Sequence, residues 1–249
     1  MAERTSYAPG TPSWVDVSTP STAIAADFYT ALFGWTAEMA PQPEAGGYGL
    51  FTLRGKRVAG LGPLQDPQLP PSWSVYVTVT DVDGTAAIAA ANEGTVIVPP
   101  MDVLDAGRMA VLRDPLGASI SLWQPGTTIG AELVNEPNTF VWNELATPGL
   151  AHSCAFYQRV FAWQQMEGPN DGTIFSLDGD MVCGAHLAAD GESPGWSVWF
   201  AVDDCDRSAA QVRDLGGAVW VPPSEMGFGR GAVVADPAGA VFGITKLAG

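Results

Sequence analysis

Asp27-Phe-Tyr-Thr-Ala-Leu-Phe-Gly-Trp35 and Ala155-Phe-Tyr-Gln-Arg-Val-Phe-Ala-Trp163 are one phrase written twice. Two further anchors follow each copy at matching distances. Pro71-Ser-Trp-Ser-Val-Tyr-Val77 returns as Pro194-Gly-Trp-Ser-Val-Trp-Phe200, and Asp114-Pro-Leu-Gly-Ala118 as Asp236-Pro-Ala-Gly-Ala240. Val98-Pro-Pro100 likewise matches Val221-Pro-Pro223, and Gly107-Arg108 matches Gly229-Arg230. The offset between copies drifts by only a few residues, so the chain is a tandem duplication with small loop changes.

Each copy divides again. A short strand pattern at Trp14 to Val17 precedes a helix over Pro20 to Phe33, whose Ile24, Phe28, Leu32 and Phe33 fall on one side and which Gly34 ends. Strands follow at Gly47 to Leu53 and Val58 to Pro63, joined through Arg54-Gly55-Lys56. The order then repeats with strand Ser74 to Val79, helix Val82 to Ala91, and strands near Thr95 to Val98, Gly107 to Leu112 and Ala118 to Trp123. In the second copy the strands fall near Phe140 to Leu145, Thr173 to Leu177, Met181 to His186, Ser197 to Val202, Ala218 to Val221, Gly231 to Val234 and Ala240 to Lys246. Its helices fall near Gly149 to Phe161 and Arg207 to Leu215. Each half is read as a β-α-β-β-β unit, four in all, with one strand of the first unit in each copy not placed. The fold class is therefore α+β, with domains over 11–125 and 139–249 and an ordered connector over 126–138, where Ile129, Leu133 and Val134 argue against a flexible linker.

The 249 residues are 47% hydrophobic, enough for real cores, while 27 acids against 11 bases leave a net charge of −16. Such a chain repels phosphate backbones and anionic lipid, which excludes nucleic acid and membrane surfaces as partners. The stretch Met1 to Gly10 has no apolar core of a signal peptide and no long apolar run follows, so a soluble, cytoplasmic protein is expected. Cys154, Cys183 and Cys205 are odd in number and without paired spacing, and read as reduced, buried thiols. Nucleotide-binding glycine loops and Gly-x-Ser-x-Gly are absent, so nucleotide and hydrolase chemistry have little to draw on.

The four units, the helix endings Phe-Tyr-x-x-Leu/Val-Phe-Gly/Ala-Trp and the Asp-Pro-x-Gly-Ala turns together resemble the vicinal oxygen chelate superfamily of glyoxalases, bleomycin-resistance proteins and extradiol dioxygenases. Gly10-Thr-Pro-Ser-Trp-Val-Asp16, Gly130-Ala-Glu-Leu-Val-Asn-Glu-Pro137 and Trp142-Asn-Glu-Leu145 narrow this. They resemble the two-domain actinobacterial subgroup of mycobacterial glyoxalase-like culture-filtrate antigens and hydroxylase-type accessory proteins of aromatic polyketide pathways. The resemblance implies two cup-shaped mixed sheets with helices outside, and in metal-using members His, Gln or Glu on the first and last strands of the units. At those positions this chain has Trp14, Ser74 and Ser121 in one copy and Trp142, Ser197 and Gly243 in the other. With two histidines in all, His152 and His186, no metal and no other cofactor is expected; His186 lies nearer the cup and is the better exception.

Strand alternation puts Asp16 on the face of Trp14 and Glu144 on the face of Trp142. A carboxylate beside tryptophans is partly desolvated, which suits a general base or an acceptor for ligand hydroxyls, so Asp16 and Glu144 are the catalytic candidates. By the same parity Ser74, Tyr76, Thr78, Ser121 and Trp123 line the first cup and Ser197, Trp199, Ala201, Val241, Gly243 and Thr245 the second. Trp73, Val75, Val77, Ile120 and Leu122, with Trp196, Val198, Phe200, Phe242 and Ile244, pack under the helices. Arg108 and Arg230 are candidates to hold the ligand or the carboxylates. Aromatics with a few hydroxyls and one acid fit a flat hydrophobic ligand. The reading that results is metal-independent binding of a small aromatic, polyketide-like molecule, as an accessory to its oxidative tailoring or to sequester it, by a monomer or homodimer. The alternatives are a lyase or isomerase using Glu144 or Asp16 as base, and a structural protein with filled cups.

Overall fold

A computed structural model of the chain describes residues 3–247; Ala248 and Gly249, at the end of the expected second domain, lie outside the described residues. The first copy runs β1 (Pro12–Thr19), α1 (Thr22–Phe33), β2 (Thr36–Met39), β3 (Gly49–Leu53), β4 (Lys56–Pro63), β5 (Ser72–Thr78), α2 (Val82–Ala91), β6 (Thr95–Val103), β7 (Gly107–Arg113) and β8 (Ser119–Pro125). The second runs β9 (Phe140–Thr147), α3 (Leu150–Phe161), β10 (Gln164–Glu167), β11 (Thr173–Leu177), β12 (Asp180–Leu187), β13 (Gly195–Ala201), α4 (Cys205–Asp214), β14 (Ala218–Glu225), β15 (Gly229–Ala235) and β16 (Val241–Leu247). Each copy forms one eight-stranded sheet, ordered β2-β3-β4-β1-β5-β8-β7-β6 and β10-β11-β12-β9-β13-β16-β15-β14. Within each unit the strand before the helix lies parallel to the last strand, as a helical crossover requires, and the remaining pairs are antiparallel.

Two strands escaped the sequence pattern. Thr36–Met39 and Gln164–Glu167 are short, largely exposed edge strands, so nothing in their composition alternates between core and water. The helix ends are legible by contrast. Ser21 caps α1 by accepting from Ile24 N, and Gly34 closes it at φ 71° with its N–H on Thr30 O. The second copy makes the same left-handed stop with Ala162 at φ 60°, a conformation only glycine adopts without cost.

The two copies are not separately cored. One buried cluster joins Phe28, Tyr29, Phe33 and Trp35 of the first copy to Phe200, Phe242 and Ile244 of the second, and the other joins Val82, Ala86 and Ile120 to Phe156, Tyr157 and Trp163. The helix-bearing backs of the sheets therefore face each other, with α1 against α4, α2 against α3, and β5 meeting β13. Polar bonds repeat across this join. Tyr29 Oη donates to Asp236 Oδ2 (3.1 Å) and Tyr157 Oη to Asp114 Oδ2 (3.1 Å), while Trp35 Nε1 donates to Asn138 O (2.8 Å) and Trp163 Nε1 to Gly10 O (2.7 Å). The repeated phrases that reveal the duplication are thus the residues that hold its two halves together. Among the described residues, Asn143 is the buried side chain left uncompensated. It is buried with neither amide atom bonded, where the first copy has Val15, and an orphaned buried amide costs about 1–3 kcal/mol.

The back-packing leaves the opposite face of each sheet for the predicted lining residues. Trp73, Val75, Val77, Ile120, Leu122, Val198, Phe200, Phe242 and Ile244 lie buried under the helices as parity requires. Cys154, Cys183 and Cys205 are all buried and unpaired. Among the described residues no helix is long and apolar enough to cross a membrane.

Candidate functional site

Pairing of β1 with β4 and β5 sets Asp16 opposite Gly60 on one side and Ser74 on the other; pairing of β9 sets Glu144 opposite Gly184 and Ser197. Both acids consequently stand at the centre of a sheet's open face, each beside a bare glycine. A Cβ at Gly60 would land on the Tyr48 hydroxyl, and one at Gly184 on the Glu144 carboxylate. From this common frame the two faces diverge.

The first face is filled. Tyr48, from the loop ahead of β3, lays its ring over Gly62, where an added Cβ would come 3.1 Å from the ring. Its hydroxyl accepts from Trp14 Nε1 (3.0 Å) and donates to Asp16 Oδ2 (3.1 Å), which also accepts from Tyr76 Oη (2.9 Å). Asp16 is only 5% exposed, Trp14 and Trp123 are buried, Ser121 is buried, and Trp123 Nε1 donates to Thr128 O of the connector. Burial pushes the Asp16 carboxyl above its ordinary value, against the opposing pull of Tyr76, Tyr48 and Ser74. A base so enclosed reaches no ligand unless Tyr48 or Tyr76 moves. The sequence reading missed Tyr48; the available signal was a tyrosine amid glycines, Gly46-Gly47-Tyr48-Gly49, with no aromatic at the matching place in the second copy.

That raised carboxyl has a measurable consequence. With a folded value above the unfolded one, protonated Asp16 stabilises the fold below about pH 4, and the contribution is lost as pH rises through the folded value. Asp16→Asn keeps an acceptor for both tyrosines and does not titrate. The melting temperature of Asp16→Asn minus that of the wild type should therefore grow as pH rises from about 4 to 7; a difference that stays flat would contradict a desolvated carboxyl.

The second face is open around Glu144 and His186, though Trp199 is as buried as Trp14 and Trp123 are in the first. Gly172 stands just ahead of β11 where Tyr48 stands ahead of β3, and His186 stands where Gly62 does. Glu144 is 26% exposed and His186 40%. Trp142 Nε1 donates to Glu144 Oε2 (2.7 Å), His186 Nδ1 lies 3.5 Å from Glu144 Oε1, and His186 Nε2 lies 3.3 Å from Glu192 Oε1. Glu144 first, then Glu192, favours the imidazolium and raises the His186 pKa against burial. Ser197 Oγ donates to the Glu144 backbone oxygen (3.2 Å) and accepts from Trp199 Nε1 (3.3 Å). The Trp199 indole lies flat over Gly243, where any Cβ would strike it, with Phe228 edge-on at 5.5 Å between centroids. Trp142, with Tyr7, Phe140 and Met181, also lines a cleft of about 270 Å³ to which Glu144, His186, Ser197 and Trp199 do not contribute.

Two expected contributors do not join either face. Arg108 shares the strand parity of Ala110 and Leu112, which pack under α2, and so lies on the helix side, bonded to Asp83 (2.7 Å) and Asp102 (2.9 Å). Arg230 is its repeat, bonded to Asp206 (2.8 Å) of α4. First-turn helix acids, Asp83 and Asp206, hold these two side chains on the helix side of their sheets, apart from Asp16 and Glu144. His152 is also engaged elsewhere, on Glu93 (2.9 Å).

A divalent ion needs three or four converging N, O or S donors. Among the described residues no three His, Cys, Asp or Glu side chains converge. Glu144 and Glu192 approach opposite nitrogens of the His186 ring, so the three cannot share one ion, and the indole of Trp142 is a donor only. The residues present do not fit a metal.

Comparison with known proteins gives this geometry its relatives. The model of the Glyoxalase/Bleomycin resistance protein/Dioxygenase superfamily matches residues 11–122 and 138–244. CFP32 of Mycobacterium tuberculosis, provisionally named a glyoxylase, is 40% identical over 100% of this chain and 99% of its own. The anthracycline biosynthesis protein DnrV of Streptomyces peucetius is 37% identical over 98% and 95%. Among solved structures, the Mn(II)-bound glyoxalase from Novosphingobium aromaticivorans superposes with a TM-score of 0.69 at 14% identity, over 99% of this chain and 83% of that one. This last likeness is one of fold.

Proposed function

Since the chain belongs to the Glyoxalase/Bleomycin resistance protein/Dioxygenase superfamily, we propose that it binds one small hydrophobic or aromatic, polyketide-like molecule on its second open face without a metal ion, as an accessory to that molecule's oxidative tailoring. One observation carries the reading: Glu144, half-shielded by Trp142 and flanked by His186, Ser197 and Trp199, is the carboxylate left open to a ligand, while its counterpart Asp16 is closed off by the protein's own tyrosines. Indole walls with one acid and one hydroxyl suit a flat molecule carrying a few polar groups. The 37% identity to an anthracycline biosynthesis protein supports that ligand class. The filled first face favours a structural part for the first copy.

The test is a thermal-shift panel of planar aromatics, read together with intrinsic tryptophan fluorescence. A ligand held at a hundred times its Kd adds about 2.7 kcal/mol to stability. Binding with one-to-one stoichiometry, unchanged by exhaustive chelation, is the expected result. A panel in which no aromatic raises the melting temperature, or binding that vanishes on chelation and returns with a metal, would overturn it.

A further inference from the structure

The first copy carries a ligand of its own. Tyr48 is a phenol held over the sheet by two contacts: its oxygen accepts from the Trp14 indole N–H, and its proton goes to Asp16. A second phenol, Tyr76, donates to the same carboxylate oxygen. The frame of this arrangement is repeated in the second copy, with His186 in the place of Gly62. Trp142 stands for Trp14, Glu144 for Asp16, Gly184 for Gly60 and Ser197 for Ser74 on equivalent strands in equivalent register. Gly172 replaces Tyr48 and Trp199 replaces Tyr76, so neither hydroxyl donor has a counterpart.

Glu144 is left under-supplied as a result. An ionised carboxylate offers about four lone-pair sites. Here one oxygen takes the Trp142 N–H and the other has only the long approach of His186 at 3.5 Å. His186 rises from the place of Gly62, beside the space that the Tyr48 ring fills in the first copy, and sets an imidazole near whatever bears the missing oxygen. The Trp199 indole, itself only 8% exposed, lies on Gly243 with Phe228 against it, and bounds this space on the apolar side.

We propose that the second face recognises a phenolic hydroxyl on its aromatic ligand, which donates to Glu144 and lies in the position that Tyr48 occupies in the first copy. The proposal rests on the reading of the second face as a ligand site and names the chemistry read there. A hydroxyl bound to a carboxylate forms a charge-assisted hydrogen bond, and losing one to a charged partner costs roughly ten- to a hundredfold in affinity. A methyl ether in the same place has no proton to give.

The experiment compares 2-hydroxyanthraquinone with 2-methoxyanthraquinone by tryptophan quenching and calorimetry; the 2-position leaves the hydroxyl free of an internal bond to the quinone oxygen. The wild type should prefer the phenol at least about tenfold, and Glu144→Ala should bring the two ligands to near-equal affinity. The double variant Gly172→Tyr with His186→Gly, which rebuilds the first-copy arrangement, should bind neither, with its fold checked by the melting temperature. Tyr48→Phe, on the other face, should leave the preference unchanged. Equal wild-type affinities, or a preference that survives Glu144→Ala, overturn the phenol assignment while aromatic binding stands. Failure of both compounds to bind the wild type overturns the underlying site.

Discussion

Asp236→Ala should lower the unfolding free energy by about 3 kcal/mol, which for a chain of this length is a fall of roughly 6–12 °C in melting temperature. The residue does two jobs at once. Its Oδ1 accepts from the backbone N–H groups of Ala238, Gly239 and Ala240 and so shapes the Asp-Pro-Ala-Gly-Ala turn, while Oδ2 accepts from Tyr29 Oη of the other copy. Tyr29 Oη in turn accepts from Trp73 Nε1, so removing the acid strands a buried hydroxyl in an apolar cluster. Tyr29→Phe removes one donor but leaves the turn intact, and about 2 kcal/mol is expected. In a double-mutant cycle the pair should show a coupling of about 1 kcal/mol or more. The Asp114 and Tyr157 pair, its repeat, should behave alike. Denaturant melts of these variants decide the matter: additivity between Tyr29 and Asp236 would mean that the bond contributes nothing across the join.

Trp35→Ala should be costlier still, about 4 kcal/mol, because it deletes a fully buried indole. Trp35 is 1% exposed and packs against Phe33, Phe51 and Phe200 with centroids at 4.7, 5.0 and 5.5 Å. Its Nε1 holds the connector at Asn138 O. Since Phe200 belongs to the second copy, the cavity opens at the join and should loosen both sheets in one cooperative transition. Trp35→Phe, which retains a ring and loses the N–H bond, should recover more than half of the loss. A variant that melts in two separate steps, with one copy unaffected, would contradict a shared core.

The tandem duplication, the four units and the burial of one strand face were legible because each leaves a period or a repeated phrase in the chain. Parity correctly separated Trp73 and Val75 from Ser74 and Tyr76, since alternation is a local property of an extended backbone. Arg108 obeys the same rule, and what alternation left open was only its partners. It lies on the helix side of its strand, bonded to Asp83 on α2 and to Asp102 on β6 across the antiparallel pair. The edge strands at Thr36–Met39 and Gln164–Glu167 left no pattern because both of their faces meet water.

The sequence by itself determined that this protein is a duplicated α+β chain with one acid beside a tryptophan in each copy and no metal-binding set at the customary positions. The duplication and the acids follow from residue identity and short-range spacing, and the customary metal positions from the family resemblance. Only the tertiary structure decided that the repeated Phe-Tyr and Asp-Pro phrases face each other across the join, and that the two acids have unlike surroundings. Asp16 and Glu144 differ by one methylene, yet Tyr48 closes over the first and Gly172 leaves the second open to His186. The physical reason is that a carboxylate's chemistry is set by what its oxygens touch and how much water reaches them. Those neighbours come from loops and strands that meet only when the sheet closes.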